Sequence, residues 1–209
     1  MSPDFAAKAF LTLFVVIDPI GLVPMFVALA GTRSPEAQEL IARRAVLIAG
    51  VVLLGFGVVG GPLLAYLGIS VEALRIAGGI LLFMIALDMV FARFRRETRA
   101  EEAEARSRED ISVFPLAIPL IAGPGALATM LILASEAGGD AVSYLGVLVS
   151  AVLVLIAAYV FLRLSGRITR LLRQTGVNVV TRVLGLVLAA LAVQYVVDGL
   201  AGLRRVLFG

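Results

Sequence analysis

Few residues in this chain could do chemistry, and most familiar chemistry is closed to them. His and Cys are absent, which removes imidazole bases, thiol nucleophiles, disulfides and the usual soft metal ligands. No paired acids recur at fixed spacing on one segment, so a carboxylate acid/base pair is not evident. What stands out is Asp18 in the apolar run Val15-Val16-Ile17-Asp18-Pro19-Ile20-Gly21-Leu22. A second run, Leu120-Ile121-Ala122-Gly123-Pro124-Gly125-Ala126-Leu127, lacks the acid but has similar punctuation. Each proline removes an N–H and frees the carbonyl four residues earlier, that of Val15 or Leu120. Proline also drives the preceding residue out of the helical region, so Asp18 and Gly123 are expected to be extended.

A helix broken in this way offers unpaired carbonyls at the end of its first half. Its second half starts with N–H donors at the positive end of the helix dipole. The carbonyls suit a cation or ammonium and the donors suit a carboxylate, so a small zwitterion satisfies both. Nearby glycines leave room for little side chain. The candidate binding residues are Asp18, Pro19, Ile20 and Gly21 from the first break and Gly123, Pro124 and Gly125 from the second. Thr129, one turn further on, and Gln194, deep in the last apolar segment, complete the set. An aspartate at the centre of a membrane helix costs about 2.5–3.5 kcal/mol, which asks for a ligand, proton or partner. A capping role toward the freed N–H groups is the plainer reading of Asp18.

The segments that hold these residues are themselves unusual. Of 209 residues, 61% are hydrophobic and 16% charged, too little charge for a soluble shell and consistent with lipid contact. Six stretches approach the roughly 20 residues needed to cross a bilayer. They are Phe5 to Leu29, Ala45 to Leu67, Val71 to Ala92, Ser112 to Ala134, Ala141 to Leu162 and Val180 to Leu203. The fold class expected is therefore all-α and polytopic, with six transmembrane helices and the first and fourth broken at mid-membrane. Three connections, with Arg182 at the start of the sixth span counted in the third, carry three, six and five arginines, together 14 of the 18 basic residues. The positive-inside rule then places those loops in the cytoplasm and both termini outside, in a cytoplasmic (inner) membrane. Ala28-Leu29-Ala30 resembles a signal-peptidase site, but cleavage there would strand the arginine-rich loops outside. The run from Arg93 to Asp110 mixes six Arg with six acids. Its near balance reads as a solvated linker and argues against a nucleic-acid partner.

An offset of 105 residues lays Pro19 over Pro124, Leu22 over Leu127 and Met25 over Met130, and an offset of 107 lays Arg75-Ile76-Ala77-Gly78 over Arg182-Val183-Leu184-Gly185. These matches suggest a duplicated three-helix unit. Three is odd, so the copies run in opposite senses as two inverted repeats. The organisation expected is 1–92 for the first repeat, 93–111 for a charged cytoplasmic linker and 112–209 for the second repeat. Asp88 and Asp198 fall near span ends, where interfacial solvation explains them. Gln194 and Tyr195 would line a cavity or bridge helices. Arg75 and Arg182 open equivalent helices and would snorkel or pair with an acid such as Glu72.

The motifs Phe14-Val15-Val16-Ile17-Asp18-Pro19-Ile20-Gly21-Leu22-Val23-Pro24-Met25-Phe26 and Pro115 to Thr129, with Arg75 to Phe83, resemble the MarC family of bacterial and archaeal membrane proteins. That resemblance covers nearly the whole chain. It implies a six-helix inner-membrane protein of transporter type, related to the lysine-exporter superfamily, with relatives that move glycine and alanine. The function expected is a secondary transporter or exchanger of small neutral amino acids working by alternating access. It would need no cofactor beyond a coupling proton or sodium ion. Its partners would be the lipid bilayer and a small zwitterion, and small-residue seams are compatible with a homo-oligomer. The alternatives are a membrane-embedded enzyme, disfavoured by the missing His and Cys, and a non-transporting structural or partner subunit.

Overall fold

The computed structural model describes residues 3–91 and 110–208. Most of the linker expected over 93–111 lies outside the described residues. Helices account for nearly all of what is described: α1 Pro3–Ile17, α2 Leu22–Ala30, α3 Pro35–Tyr66, α4 Val71–Phe91, α5 Ser112–Ile121, α6 Pro124–Glu136, α7 Ala141–Arg163 and α8 Ser165–Phe208. Among the described residues α3, α4, α7 and the Thr175–Arg204 part of α8 are each long and apolar enough to cross a membrane. The pairs α1/α2 and α5/α6 are bent by 42° and 51° at short breaks, and raise the number of candidate spans from four to six if each pair is one span.

Local chemistry explains the helix starts. Ser34 precedes Pro35 and its hydroxyl accepts the Ala37 N–H at 3.3 Å, a Ser cap followed by proline at the first helical position. Asp140 caps α7 by accepting the Ser143 N–H at 3.0 Å. The hydroxyl and N–H of Ser143 hold the Asp140 carboxyl below its ordinary pKa. Two helices outrun the expected spans: α3 begins at Pro35 rather than Ala45, and α8 at Ser165 rather than Val180. Both extensions are polar and helical, so a hydropathy threshold cuts them off although the hydrogen-bond ladder continues. The third expected connection is thereby mostly helix.

Packing is by small residues. α4 lies antiparallel on α8, with Gly79 against Ala192 and Val196, Gly185 against Met89 and Val90, and Gly199 against Glu72 and Ile76. α3 packs on α5, α6 and α7, and α1 packs on α6 and α7. One buried cluster unites α1, α2, α3, α5, α6 and α7, and a smaller one joins α4, α6 and α8 around Leu82, Ile132, Leu188 and Tyr195. Large apolar side chains such as Leu47, Val51, Val59, Met84, Ile156 and Leu186 point outward, as lipid contact requires.

Ion pairs mark the two ends of the bundle. At the end holding both termini, Lys8 and Arg75 meet Glu136 at 2.8 and 3.3 Å. At the arginine-rich end, Arg44 pairs with Asp110 at 3.7 Å and Arg163 with Glu39 at 3.5 Å. These are called the terminal face and the arginine-rich face.

The α4–α8 seam tolerates no added carbon at Gly79, where a Cβ would lie 2.7 Å from the Ala192 carbonyl, whereas Gly55 on α3 has open space. Gly79→Ala should therefore destabilise the protein by about 1–3 kcal/mol through overpacking. Gly55→Ala should stabilise it by about 0.5–1 kcal/mol through helix propensity. Thermal unfolding in detergent should move the two midpoints in opposite directions.

Candidate functional site

At the first break α1 ends at Ile17 and α2 starts at Leu22. Asp18 is not extended: its φ is +46°, the left-handed region. A side-chain bond is the reason. Asp tolerates this region because its short polar side chain can bond locally, and here Oδ1 accepts the Gly21 N–H at 3.0 Å. The Leu22 N–H closes the turn on the Asp18 carbonyl at 3.1 Å. Thr181 from α8 lines the same cavity as the carboxylate. The capping reading of Asp18 is thus what the geometry displays, and the residue is buried. Gly21 is required by close approach, since a Cβ there would fall on the Asp18 carboxylate.

The second break is built differently. α5 winds with i→i+5 hydrogen bonds, Leu116 N–H to Ile111 O and Ala122 N–H to Ala117 O at 2.9 Å. Phe114 and Ile118, each preceding a proline, are extended, as that position demands. Gly123 is extended too, at φ −81° and ψ 174°, as expected from Pro124. A Cβ on Gly123 would collide with the Pro119 carbonyl oxygen. Pro124 opens α6, whose first turn receives no side-chain cap.

A cavity of about 360 Å³ lies between the breaks. Asp18, Gly21, Gly123, Pro124 and Gly125 all line it. Pro19 and Ile20 shape the turn without lining the cavity. Thr129 is fully buried beyond it, and Gln194 is exposed on α8 and donates to Asp198 at 2.7 Å. Gly125 serves packing as well, since a Cβ there would approach Ile85 to 2.6 Å. Four further polar residues border the space: Asp88 from α4, and Asn178, Thr181 and Arg182 from α8. Asp88 and Arg182 were expected at the interface. They line the cavity because it reaches from the breaks toward the end of α4 and past the Val177–Arg182 stretch of α8. The spacing of 178, 181 and 182 is a helical face, a signal hidden by starting the last span at Val180. Arg75 pairs with Glu136 rather than Glu72.

The field in the cavity is two-sided. The Asp18 carboxylate occupies the start of α2 and leaves that side negative, with Asp88 adding to it. α6 presents uncapped N–H groups at its positive end, with Arg182 also on the wall. Toward the terminal face the bundle is closed: Thr12, Leu82, Thr129, Ile132, Ala192 and Tyr195 are all at most 5% exposed.

A family model described as "MarC family integral membrane protein" matches residues 4–204. A UPF0056 membrane protein of Archaeoglobus fulgidus is 44% identical over 203 residues, covering 95% of this chain and 93% of its own. UPF0056 membrane protein YhcE of Escherichia coli is 34% identical, covering 94% and 92%, and YvbG of Bacillus subtilis is 36% identical, covering 98% of each. No solved structure matches the chain. With a match across nearly its whole length and relatives in bacteria and archaea, the chain belongs to the MarC family of integral membrane proteins.

Proposed function

We propose that this protein is a secondary transporter of small neutral amino acids, glycine or alanine in size, that carries them between the two broken helices by alternating access. One observation carries the reading: a single small cavity holds a buried carboxylate at one break and an uncapped helix N-terminus at the other. An amino acid's ammonium would meet Asp18, and its carboxylate would meet the first turn of α6 and Arg182. The volume lies near the lower end of the range of about 300–1,000 Å³ usual for ligand pockets, which favours a short side chain. Asp18 is also where a coupling proton or sodium ion would act.

Depth and symmetry support the same reading. Lys8 lies ten residues before Asp18, and Glu136 eleven after Gly125. At about 1.5 Å per residue the breaks sit roughly 15 Å from the terminal face, half of a hydrocarbon core of about 30 Å. The packing is reciprocal: α1 rests on α7 as α5 rests on α3, and α4 on α6 as α2 on α8. An offset of 107 turns the Gly185–Met89 contact into Gly78–Val196, one residue from the Gly79–Val196 contact present. Reciprocal packing of this kind supports a reading of the two halves as inverted repeats. The arginine-rich face would be cytoplasmic and both termini outside, in the cytoplasmic membrane, so the cavity faces the cytoplasm.

Uptake or counterflow of radiolabelled glycine and alanine in proteoliposomes tests the proposal, and absence of flux with every neutral amino acid would refute it. Asp18→Asn keeps an oxygen for the Gly21 N–H and tolerates the left-handed backbone, so thermal stability should change little while flux falls at least tenfold. Arg182→Gln removes a charge-assisted contact worth about 1.5–3 kcal/mol, so the apparent KM for glycine should rise roughly tenfold or more. Unchanged flux in Asp18→Asn would remove Asp18 from the site.

A further inference from the structure

The half of the bundle between the breaks and the terminal face is packed shut, yet it is not purely apolar. Thr12 on α1, Thr129 on α6 and Tyr195 on α8 are buried together with Leu13, Leu82, Ile132 and Ala192. The Thr129 hydroxyl has no hydrogen-bond partner among the described residues, and the Tyr195 hydroxyl, facing Thr12, closes no bond of ordinary geometry. Buried polar groups left unpaired cost free energy, and a native structure retains them for a reason. These three side chains come from three helices, and Thr129 lies one turn from Gly125, where the cavity stops.

Directly beyond them, Glu136 at the end of α6 is clamped by Lys8 of α1 at 2.8 Å and by Arg75 of α4 at 3.3 Å. The Glu136 side chain is 11% exposed, against 48–58% for the four partners in the pairs at the arginine-rich face. Arg75 Nε is buried without a partner among the described residues, so the guanidinium is held by its terminal nitrogen alone. A clamp that joins three helices at one end, over unpaired hydroxyls that lead back to a cavity open toward the other end, has the geometry of a closed door.

We propose that Lys8, Glu136 and Arg75 form the gate on the terminal face, and that Thr12, Thr129 and Tyr195 line the substrate's way to it once it opens. The proposal rests on the transport reading above. When the clamp breaks, α6 and α1 part at their outer ends, and the hydroxyls gain water or substrate as partners. The same hydroxyls would then hand a small zwitterion from the breaks to the outer aqueous phase.

The chain has no cysteine, so the native protein is a clean background for thiol labelling. Thr129→Cys alone should react slowly in vesicles with a membrane-impermeant maleimide added on each side in turn. Adding Glu136→Gln should raise its labelling from the terminal side at least tenfold, and adding Lys8→Gln, which leaves Arg75 on the carboxylate, should raise it less. An unchanged rate in the Glu136→Gln background would overturn the gate. As a second arm, Lys8→Cys with Glu136→Cys, bridged by a short bifunctional thiol reagent, should block glycine flux and release it on cleavage of the bridge. Flux that persists at full rate through the bridged protein also overturns it. Labelling needs no substrate, so a failed transport reading shows as faster labelling without flux, and a failed gate as flux with unchanged labelling.

Discussion

Hydrocarbon supplies no hydrogen bonds, so a chain that crosses it must satisfy its own backbone, and proline makes that impossible at the site where it stands. Four prolines, at positions 19, 115, 119 and 124, concentrate this failure in two places, whereas Pro62 falls near the end of α3, where little ladder remains to lose. The rest of the architecture follows from having to shelter those two places. Asp18 turns its own carboxylate onto the first broken end. The second is sheltered by a π-wound segment packed against α3. The unbroken helices α3 and α7 form the walls behind them, and α4 with α8 encloses the cavity from the other side.

The breaks were legible in the sequence because proline and glycine act locally. The rule that extends a residue before proline holds at Phe114, Ile118 and Gly123. It misses Asp18, where a side-chain hydrogen bond selects the left-handed alternative. Depth was read less well. Asp88 and Arg182 lie near helix ends in sequence, yet a cavity that enters from that face makes them its lining. Rotation about the helix axis was the hardest quantity to read. In α8 apolar residues face both lipid and protein, so no polarity contrast separates Tyr195, which is buried, from its neighbour Gln194, which is not. Glu136 falls two residues past the expected fourth span, and its burial depends on three helices converging, which no local pattern encodes.

Charge is distributed by burial rather than by number. The pairs Arg44–Asp110 and Arg163–Glu39 are half exposed, and such pairs contribute roughly 0–1 kcal/mol. The carboxylate of Glu136 is nearly enclosed and needs its partners, because a buried charge left alone is far more costly than an exposed one. The two ends of one bundle thus differ in how firmly they are held, although their ion pairs look alike on paper.

The crossed packing of the bent helix pairs also bears on how the chain assembles. α1 leans on α7 and α6 leans on α3, so each half of the protein completes the other and neither finishes its own core. The N-terminal helices enter the membrane well before α7 exists. At synthesis rates of about 5–20 residues per second, the first break must wait roughly seven to thirty seconds for the wall that will cover it. During that interval the turn has only its local bonds, Gly21 N–H to the Asp18 carboxylate and Leu22 N–H to the Asp18 carbonyl. The cap is thus a contact that needs no part of the second half of the chain to form.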